Sequence, residues 1–368
     1  MRSTARLTGR CLAPVLPSML ARAMATGVST SGAGSPEQRA HVKAFMTEFF
    51  TNFNASNTVQ AAQGWVDHLE GGGKMMLTMA GAMSTAQQGK SVAELIRQDK
   101  VHGITCTGAN LEEDFFNLIA HSHYAEIKDI ELLGERVPGW RELSSAHEQD
   151  LFEKGYNRVT DTCIPEEEAM RKCEDKLVGL YRELCAEATT MFPHELFYEL
   201  LKRGECGPYQ IPEENSWLIA AAEKNLPIWV PGWGDSTCGN MVVAARVKGD
   251  MPHFPIKSEL EAMENLILWY RDTSADSDIG FFQVGGGIAG DWPICSVPLM
   301  KQDLEEDVKC WKYFCQISDA PSSYGGYSGA PPNEKITWGK LEPETPKFVI
   351  ESDATIVFPL VAAYVLSS

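Results

Sequence analysis

The sequence lacks the marks of several common protein classes. It has no run of about 18 apolar residues, the length that a membrane-spanning helix needs, and its ten cysteines form no Cys-x-x-Cys pair. Its eight histidines show no zinc-like spacing with the cysteines, so we assign no metal. Basic residues are also scarce, because 32 lysines and arginines face 50 acids and the net charge is −18. We expect no membrane and no nucleic acid as partners, since an acidic surface repels phosphates and attracts polyamines or basic proteins. Solubility explains this charge equally well.

Acidic residues are absent from the first 36 positions, which hold four arginines among serines, threonines and alanines. This composition is typical of an organelle transit peptide, mitochondrial in the first place and plastid in the second. A secretory signal is disfavoured because the apolar stretch 11–20 is short and contains two prolines. The alternative is a disordered leader on a cytoplasmic protein. We expect a leader at 1–36, one domain at 37–368 and reduced cysteines.

Short unbroken apolar segments alternate with amphipathic ones after the leader. The predicted strands are 74–81, 101–108, 157–164, 226–230, 279–284, 312–317 and 347–351. The predicted helices are 37–53, 58–69, 91–100, 111–124, 166–189, 258–272 and 354–366. This alternation predicts an α/β fold, with a mostly parallel sheet and helices on both faces, in a single large domain. The loop-like stretch 318–337 is long enough to indicate a functional role.

Glycines follow the predicted strand 279–284 in the sequence FFQVGGGIAGD, where Gly285, Gly287 and Gly290 match G-x-G-x-x-G. Such glycines let the backbone approach a pyrophosphate at the start of a helix. A simple tight turn explains the pattern equally well. The acid expected about 20 residues later has only Asp303 and Glu305 as nearby candidates.

Small polar and acidic residues follow three other predicted strands. TMAGAMSTAQQG contains Ser84 and Thr85, and TCTGANLEED contains Thr107, Gly108 and three acids at 112–114. In PGWGDSTCGN, Asp235 leads a turn that could cap a helix. Ligands of open parallel sheets gather at the carboxyl ends of strands, which favours a site here. The three acids also suit the positive end of their own helix, which is the structural alternative.

Lys340 ends the run NEKITWGK, shortly before the predicted strand at 347–351. A lysine two residues after Trp338, in a turn led by Gly339, is placed to be partly buried. Burial disfavours the ammonium form, and a neutral amine is a nucleophile. The alternative is an ordinary solvated lysine.

Five segments resemble the deoxyhypusine synthase family when taken in order: TGANLEEDFF, PGWGDSTCGN, VGGGIAGD, YSGAPPNEKITWGK and ESDATIVFPL. The similarity runs from about residue 40 to the C-terminus and is greatest to the deoxyhypusine synthase-like branch common in bacteria. It implies a Rossmann-like homotetramer that uses NAD and spermidine. In this family NAD accepts a hydride from spermidine, 1,3-diaminopropane leaves, and a lysine carries the remaining butylimine to an acceptor amine.

The resemblance also implies roles for individual residues. Lys340 corresponds to the covalent nucleophile, Trp338 to a tryptophan that stacks on the polyamine, Glu113 to an acid near the nicotinamide and Glu334 to an acid that binds an amine end. The residues that it places at the NAD site are Ser84, Thr85, Thr107, Gly108, Asp235, Gly286, Gly287, Ser328 and Asp353. At Ser84 and Thr85 the local spacing differs from the family by one residue.

Three positions depart from the family's eukaryotic pattern. Asp291 stands where a histidine assists the chemistry, and Asn240 and Tyr327 replace two amine-binding acids. The cofactor half and the nucleophile are thus kept, whereas the polyamine pocket is rebuilt. We expect Asp291 to take part in catalysis and Asn240 and Tyr327 to line the substrate pocket.

Three functions fit these residues. The first is transfer of the aminobutyl group to a lysine of the hypusine-bearing translation factor. The predicted transit peptide argues against this function. The second is transfer to a small diamine such as putrescine, which the altered pocket favours. The third is a non-catalytic NAD-binding paralogue in a hetero-oligomer, which retention of Lys340, Trp338 and Glu334 argues against.

Overall fold

The computed structural model describes residues 33–322 and 325–368. Residues 1–32 of the predicted leader lie outside these ranges, so the leader stays a prediction. Within the described ranges, no helix has both the length and the apolar character needed to cross a bilayer.

Six parallel strands form the main sheet, and we number them β1 to β6 in chain order. They are β1 (Lys74–Met79), β2 (Gly103–Cys106), β3 (Ile228–Trp229), β4 (Ile279–Val284), β5 (Tyr313–Ser318) and β6 (Lys347–Glu351). Their spatial order is β6-β5-β4-β1-β2-β3, and every neighbouring pair is parallel. This is the 3-2-1-4-5-6 order of dinucleotide-binding Rossmann folds. The predicted Rossmann-like α/β class is confirmed.

Helices cover both faces of this sheet. They are α1 (Pro36–Phe49), α2 (Phe53–Glu70), α3 (Gly89–Arg97), α4 (Gly108–Ala120), α5 (Ser145–Glu153), α6 (Lys172–Glu187), α7 (Pro193–Arg203), α8 (Trp217–Lys224), α9 (Thr237–Lys248), α10 (Glu259–Asp276), α11 (Gly287–Ile294), α12 (Glu334–Thr337) and α13 (Ala354–Val365). Side chains alternate between the two cores, since Leu77 and Phe282 pack in one and Met76 and Phe281 in the other. Burial on both faces explains the unbroken apolar runs of the strands.

A small antiparallel unit lies between α4 and α6. It contains a sheet of Ala125–Glu126, Thr162–Pro165 and Tyr156–Val159, and Glu131–Leu132 pairs with Glu135–Arg136. The prediction of one strand over 157–164 is wrong, because the chain reverses at Thr160, whose φ is 55°. Two polar residues between paired strands form a tight hairpin turn.

The carboxyl ends of all six strands meet at one edge of the sheet, where β1 and β4 lie side by side. The chain visits β2 and β3 between them, so the direction of winding reverses at this point. The two strand ends touch, since a Cβ added at Gly285 would lie 2.9 Å from Ala80 Cβ. Ligands of open α/β sheets bind in the crevice at such a reversal.

Candidate functional site

A glycine turn joins β4 to α11 at this crevice. Gly285 and Gly287 have φ of 79° and 59°, conformations that favour glycine. The first N–H groups of α11 follow at once and can bind an anionic group. The turn follows β4 rather than the first strand, where the dinucleotide fingerprint usually lies. It nevertheless borders the same crevice.

Ser328 packs directly against this turn. Its Oγ accepts a hydrogen bond from Gly287 N at 3.0 Å, and its carbonyl accepts one from the Gln316 amide. A Cβ added at Gly286 would lie 2.0 Å from Ser328 Oγ, so no side chain fits there unless the 327–329 turn moves. Three of the predicted cofactor residues are therefore in contact.

Asn110 organises the opposite wall of the crevice. Its amide donates to Gly81 O at 2.9 Å and accepts from Ser84 N at 3.1 Å, while Thr107 Oγ1 donates to the same Gly81 carbonyl at 2.8 Å. The Ser84 hydroxyl donates to Asn110 O at 2.6 Å and accepts from Trp217 Nε1 at 2.9 Å. Because that hydroxyl already has its partners, Ser84 holds the loop in place and the loop backbone is what a ligand would meet.

The three consecutive acids of α4 have different roles. Glu112 accepts hydrogen bonds from the first two N–H groups of α9 at 3.0 and 2.7 Å, and Asp114 accepts one from Leu218 N in α8 at 3.1 Å. These two carboxylates thus bind the N-termini of other helices rather than of their own. Glu113 alone is left for other chemistry.

Glu113 is buried and receives a hydrogen bond from Thr85 Oγ1 at 2.5 Å. Burial raises the pKa of its carboxyl to about 7, and the neighbouring charge of Glu112 adds to the effect. A carboxyl with this pKa can both accept and donate a proton near neutral pH.

The turn after β3 contacts the same wall. Ser236 caps α9 by accepting from Gly239 N at 2.9 Å, and a Cβ added at Gly108 would lie 2.5 Å from Ser236 Cβ. Asp235 is exposed just before this cap. Asn240 is also exposed, and its amide donates to Ser236 O at 2.8 Å. The turn therefore caps a helix, as its sequence predicts, and leaves the Asp235 carboxylate open.

Lys340 is positioned by the turn that ends α12. Gly339 adopts a φ of 71°, Lys340 N donates to Lys335 O at 3.0 Å and Gly339 N donates to Ile336 O at 2.9 Å. These paired bonds form a Schellman turn, in which glycine takes the left-handed position. The Lys340 carbonyl then accepts from Trp311 N at 3.2 Å, so the backbone of this lysine is fixed on both sides.

The Lys340 side chain is buried, with 7% of the residue exposed. Its Nζ lies 3.3 Å from Asp291 Oδ1 and 5.7 Å from the centroid of the Tyr327 ring. Trp338 lies at a similar 5.8 Å but is 65% exposed. The position of Lys340 two residues after Trp338 predicts a partly buried side chain, and the side chain is buried. In the structure Tyr327 forms the more buried wall.

Lys335 is a second buried amine beside the first, with 3% of the residue exposed. Its Nζ lies 4.8 Å from the Tyr327 ring centroid and 4.9 Å from that of Phe314. No hydrogen-bond acceptor reaches this nitrogen among the described residues. Burial, and after it the positive charge of Lys340, lower the pKa of Lys335 to about 8.

Replacement of Lys335 by methionine is expected to stabilise the protein at pH 7. The folded chain holds the Lys335 proton less tightly than the unfolded chain, whose pKa is near 10.5, so the destabilisation is fully present below pH 8. We expect the free energy of unfolding to rise by about 2 to 3 kcal/mol at pH 7. The wild type should recover this difference as pH rises from 8 to 10.5. Urea unfolding at pH 7 and pH 10 measures both values, and a variant less stable at pH 7 would contradict this assignment.

Most of the predicted site residues fall into two sets, and three lie outside both. A continuous series of neighbours links Gly287, Ser328, Tyr327, Lys340 and Asp291, whereas Thr85, Thr107 and Glu113 line the other side of the crevice. The predicted residues outside both sets are all exposed to solvent: Asn240, Glu334 and Asp353. Within the described ranges, no hydrogen bond or ion pair joins these three to the Lys340–Asp291 pair.

Asp353 follows β6, two strands from β4, and caps α13 by accepting from Thr355 N at 2.7 Å. Three local features of this edge of the sheet suit a dinucleotide. The glycine turn admits close approach of a pyrophosphate, the N-terminus of α11 suits its charge, and exposed carboxylates are available to ribose hydroxyls.

Three residues of the site were not predicted from the sequence. Asn110 stands three positions after Thr107, a capping spacing that could have revealed it. Gln283 accepts from the Tyr327 hydroxyl at 2.7 Å and donates to Gly285 O at 2.8 Å, but its strand position alone gives no hint of this. Lys335 carries no local signal that separates it from a solvated lysine.

Comparisons with known proteins identify relatives of this chain. The family model described as deoxyhypusine synthase matches residues 44–365. A Methanosarcina mazei protein named probable deoxyhypusine synthase 2 is 27% identical over 316 residues, which cover 85% of this chain and 82% of that protein. A Nostoc protein named deoxyhypusine synthase-like is 27% identical over 329 residues, covering 87% and 79% of the two chains.

A solved structure from Entamoeba histolytica, named as a candidate deoxyhypusine synthase, has the same fold. The TM-score is 0.51 at 14% identity, and the superposition covers 87% of this chain and 90% of the other.

Proposed function

The chain belongs to the deoxyhypusine synthase family, and from this premise we propose that it transfers the aminobutyl group of spermidine to an acceptor amine, with NAD as cofactor and Lys340 as carrier. We further propose that the acceptor is a lysine of the hypusine-bearing translation initiation factor. The observation that carries the proposal is Lys340 itself, a buried lysine 3.3 Å from the Asp291 carboxylate. Asp291 lies on the helix that begins at the glycine turn.

NAD, when bound, supplies a hydride acceptor for the donor and returns the hydride at the end of the transfer. The backbone at Gly286 and Gly287, together with Ser328, would hold its pyrophosphate. Thr107, Gly108 and the loop anchored by Ser84 and Thr85 would line the opposite wall. The exposed carboxylates of Asp235 and Asp353 would reach the polar groups of the nucleotide.

Lys340 must lose a proton before it can act. The Asp291 carboxylate, 3.3 Å away, would hold the amine in place and take part in proton transfer between Lys340 and the substrate. The neutral amine then attacks the donor carbon that has been oxidised to an imine. A bond forms from Lys340 Nζ to that carbon and the bond from the carbon to the nitrogen of 1,3-diaminopropane breaks. The two hydrogens of the lysine amine move to that nitrogen, which leaves as a free amine. The acceptor amine displaces Lys340 from the carbon in the same way, and reduction gives a stable secondary amine.

The polyamine would be held by groups on the Glu113 side and the Lys340 side of the crevice. Glu113 and Glu334 offer carboxylates, and Trp338 presents an open aromatic face beside Lys340 that suits an ammonium-bearing chain. The Tyr327 hydroxyl is bound to Gln283, so its ring is what faces the site. Asn240 can contribute only a neutral amide at its exposed position.

Glu113 is expected to set a pH dependence near neutrality. Because burial raises its pKa to about 7, the carboxylate form that binds an ammonium grows as pH rises through 7. Glu113→Gln should raise the KM for spermidine roughly tenfold at pH 8 and remove the inflection near pH 7 from the kcat/KM profile. Asp67→Asn, on the exposed side of α2, is the matched control. An inflection that persists in Glu113→Gln would rule out this carboxyl as its source.

One incubation tests the proposed function. The purified protein, NAD and spermidine labelled in its butyl carbons would be combined with the initiation factor, with putrescine, or with no acceptor. Label in the factor supports the proposal, and label in homospermidine shows a small-diamine acceptor instead. Without release of 1,3-diaminopropane in any arm, the proposed activity fails and a non-catalytic NAD-binding role becomes the better explanation.

Two expectations accompany this function. We propose a homotetramer, which light scattering on the purified protein tests. We also propose that residues 1–36 direct the protein to mitochondria, with plastids as the alternative. Fluorescent fusions with and without these residues would be compared, and an unchanged cytoplasmic signal would contradict the targeting role.

A further inference from the structure

Lys335 places a second amine in the wall of the lysine site. It precedes Lys340 by five residues, and its carbonyl accepts the hydrogen bond from Lys340 N at 3.0 Å. Both ammonium groups lie within 6 Å of the centroid of the same Tyr327 ring, at 4.8 and 5.7 Å. The turn that fixes one lysine therefore also fixes the other.

The charged and titratable groups around Lys335 come from three segments. Glu334 lies on the same short helix and Lys340 on the turn that follows it. Asp291 faces both lysines from α11, and Cys295, directly after α11, faces Lys340. The Tyr327 hydroxyl, bound to Gln283, comes from the 327–329 turn. Only Lys340 among them forms an ion pair with Asp291. Lys335 has aromatic faces and no acceptor among the described residues.

We propose that Lys335 is a positioning residue whose buried positive charge opposes the attraction between Asp291 and Lys340, and so keeps more of Lys340 in the neutral, nucleophilic form. The inference rests on the proposed function of Lys340 and goes beyond it by adding a second lysine. The physical ground is that two cations in one poorly solvated site disfavour each other's protonation.

The direction of the effect follows from the sign of each neighbour. Asp291 favours the ammonium form of Lys340, whereas a cation at Lys335 disfavours it. Lys335 is mostly protonated at pH 7, since its pKa is about 8. The positive charge of Lys335 is therefore present at pH 7, where an ordinary lysine is almost entirely in the ammonium form. Burial of the Lys335 charge is expected to destabilise the fold, as described above. Lys335→Met should therefore raise stability while it lowers the reactivity of Lys340, and the two effects can be told apart.

The test measures the reactivity of Lys340 without turnover. Butanal and cyanoborohydride would alkylate neutral amines at pH values between about 6 and 10, and peptide mass spectrometry would give the extent at each lysine. Lys202, on the solvent-exposed surface, is the reference within the same sample. The variants are Lys335→Met, which removes the charge at similar volume, Lys335→Arg, which keeps it, and Asp291→Asn, which removes the opposing charge.

We expect Lys335→Met to move the pH midpoint of Lys340 alkylation upward and to lower its rate at pH 7 by about three- to tenfold. Lys335→Arg should stay within about twofold of the wild type, and Asp291→Asn should move the midpoint downward. Lys202 should not change. An unchanged Lys340 midpoint in Lys335→Met, or a loss of reactivity equal in Lys335→Arg and Lys335→Met, would overturn the proposal.

This readout separates the inference from the proposed function. If the midpoint shifts as expected while spermidine yields no 1,3-diaminopropane, the pairing of the lysines stands and the proposed reaction does not. If diaminopropane is released and the midpoint is unchanged, the reaction stands and the role of Lys335 falls.

Discussion

Lys340→Arg is expected to lower transfer of the aminobutyl group to any acceptor by at least about a thousandfold. Arginine keeps the positive charge, is slightly longer than lysine, and can still pair with Asp291. Its guanidinium does not deprotonate in proteins, however, so it offers no lone pair to an imine carbon. The variant thus removes the nucleophile while leaving the electrostatics of the site nearly unchanged.

Labelled spermidine and acceptor measure this effect, with NAD affinity recorded in parallel. Lys312→Arg is the matched control, because Lys312 also pairs with a carboxylate, that of Glu342, at 2.5 Å. We expect Lys312→Arg to transfer label normally and Lys340→Arg to bind NAD within about twofold of the wild type. Transfer above about a tenth of the wild-type rate in Lys340→Arg would exclude the covalent route.

Gly286→Ala is expected to weaken NAD binding by about ten- to a hundredfold and to lower transfer at least as much. The added Cβ would lie 2.0 Å from Ser328 Oγ and 2.8 Å from Ser328 Cα, so the 327–329 turn must move. That movement breaks the Gly287–Ser328 hydrogen bond and shifts Tyr327, the wall of both lysines. One methyl group therefore disturbs the cofactor turn and the nucleophile together.

Gly179→Ala in α6 is the control, because a Cβ there meets no atom within 4 Å and the residue is helical. This control should bind NAD normally and be slightly more stable, as alanine favours helices. Calorimetric titration with NAD gives both affinities. Wild-type affinity in Gly286→Ala would show that the glycine turn does not hold the cofactor.

The sheet could be predicted from sequence because five of its six strands are almost entirely buried. Strand β4 is buried along its whole length and has the predicted bounds. The edge strand β6 also has the predicted bounds, although it is only partly buried and ends on charged residues. The unit at 121–165 could not be predicted, since its strands are short and their pairing depends on a two-residue turn at Thr160. Strand β3 contains only two paired residues, so the apolar run 226–230 overstates it.

Candidate site residues could be identified from sequence where their role depends on the local backbone. They could not be identified where the role depends on contacts between distant segments. The glycine turn and the Gly339–Lys340 turn are local, and both have the expected backbone conformation. The three acids at 112–114 are indistinguishable in sequence, yet contacts with α8 and α9 occupy two of them and leave Glu113. Likewise, only packing shows that Tyr327, rather than Trp338, encloses Lys340, and that Lys335 shares its wall.

The central feature of the proposed reaction is a covalent intermediate at Lys340. The most direct measurement is borohydride trapping with labelled spermidine and NAD but no acceptor, followed by peptide mass spectrometry. We predict one labelled aminobutyl group on Lys340, only when NAD is present, and none on Lys335. A trapped group on another residue, or release of 1,3-diaminopropane with no trapped group on the protein, would contradict the account.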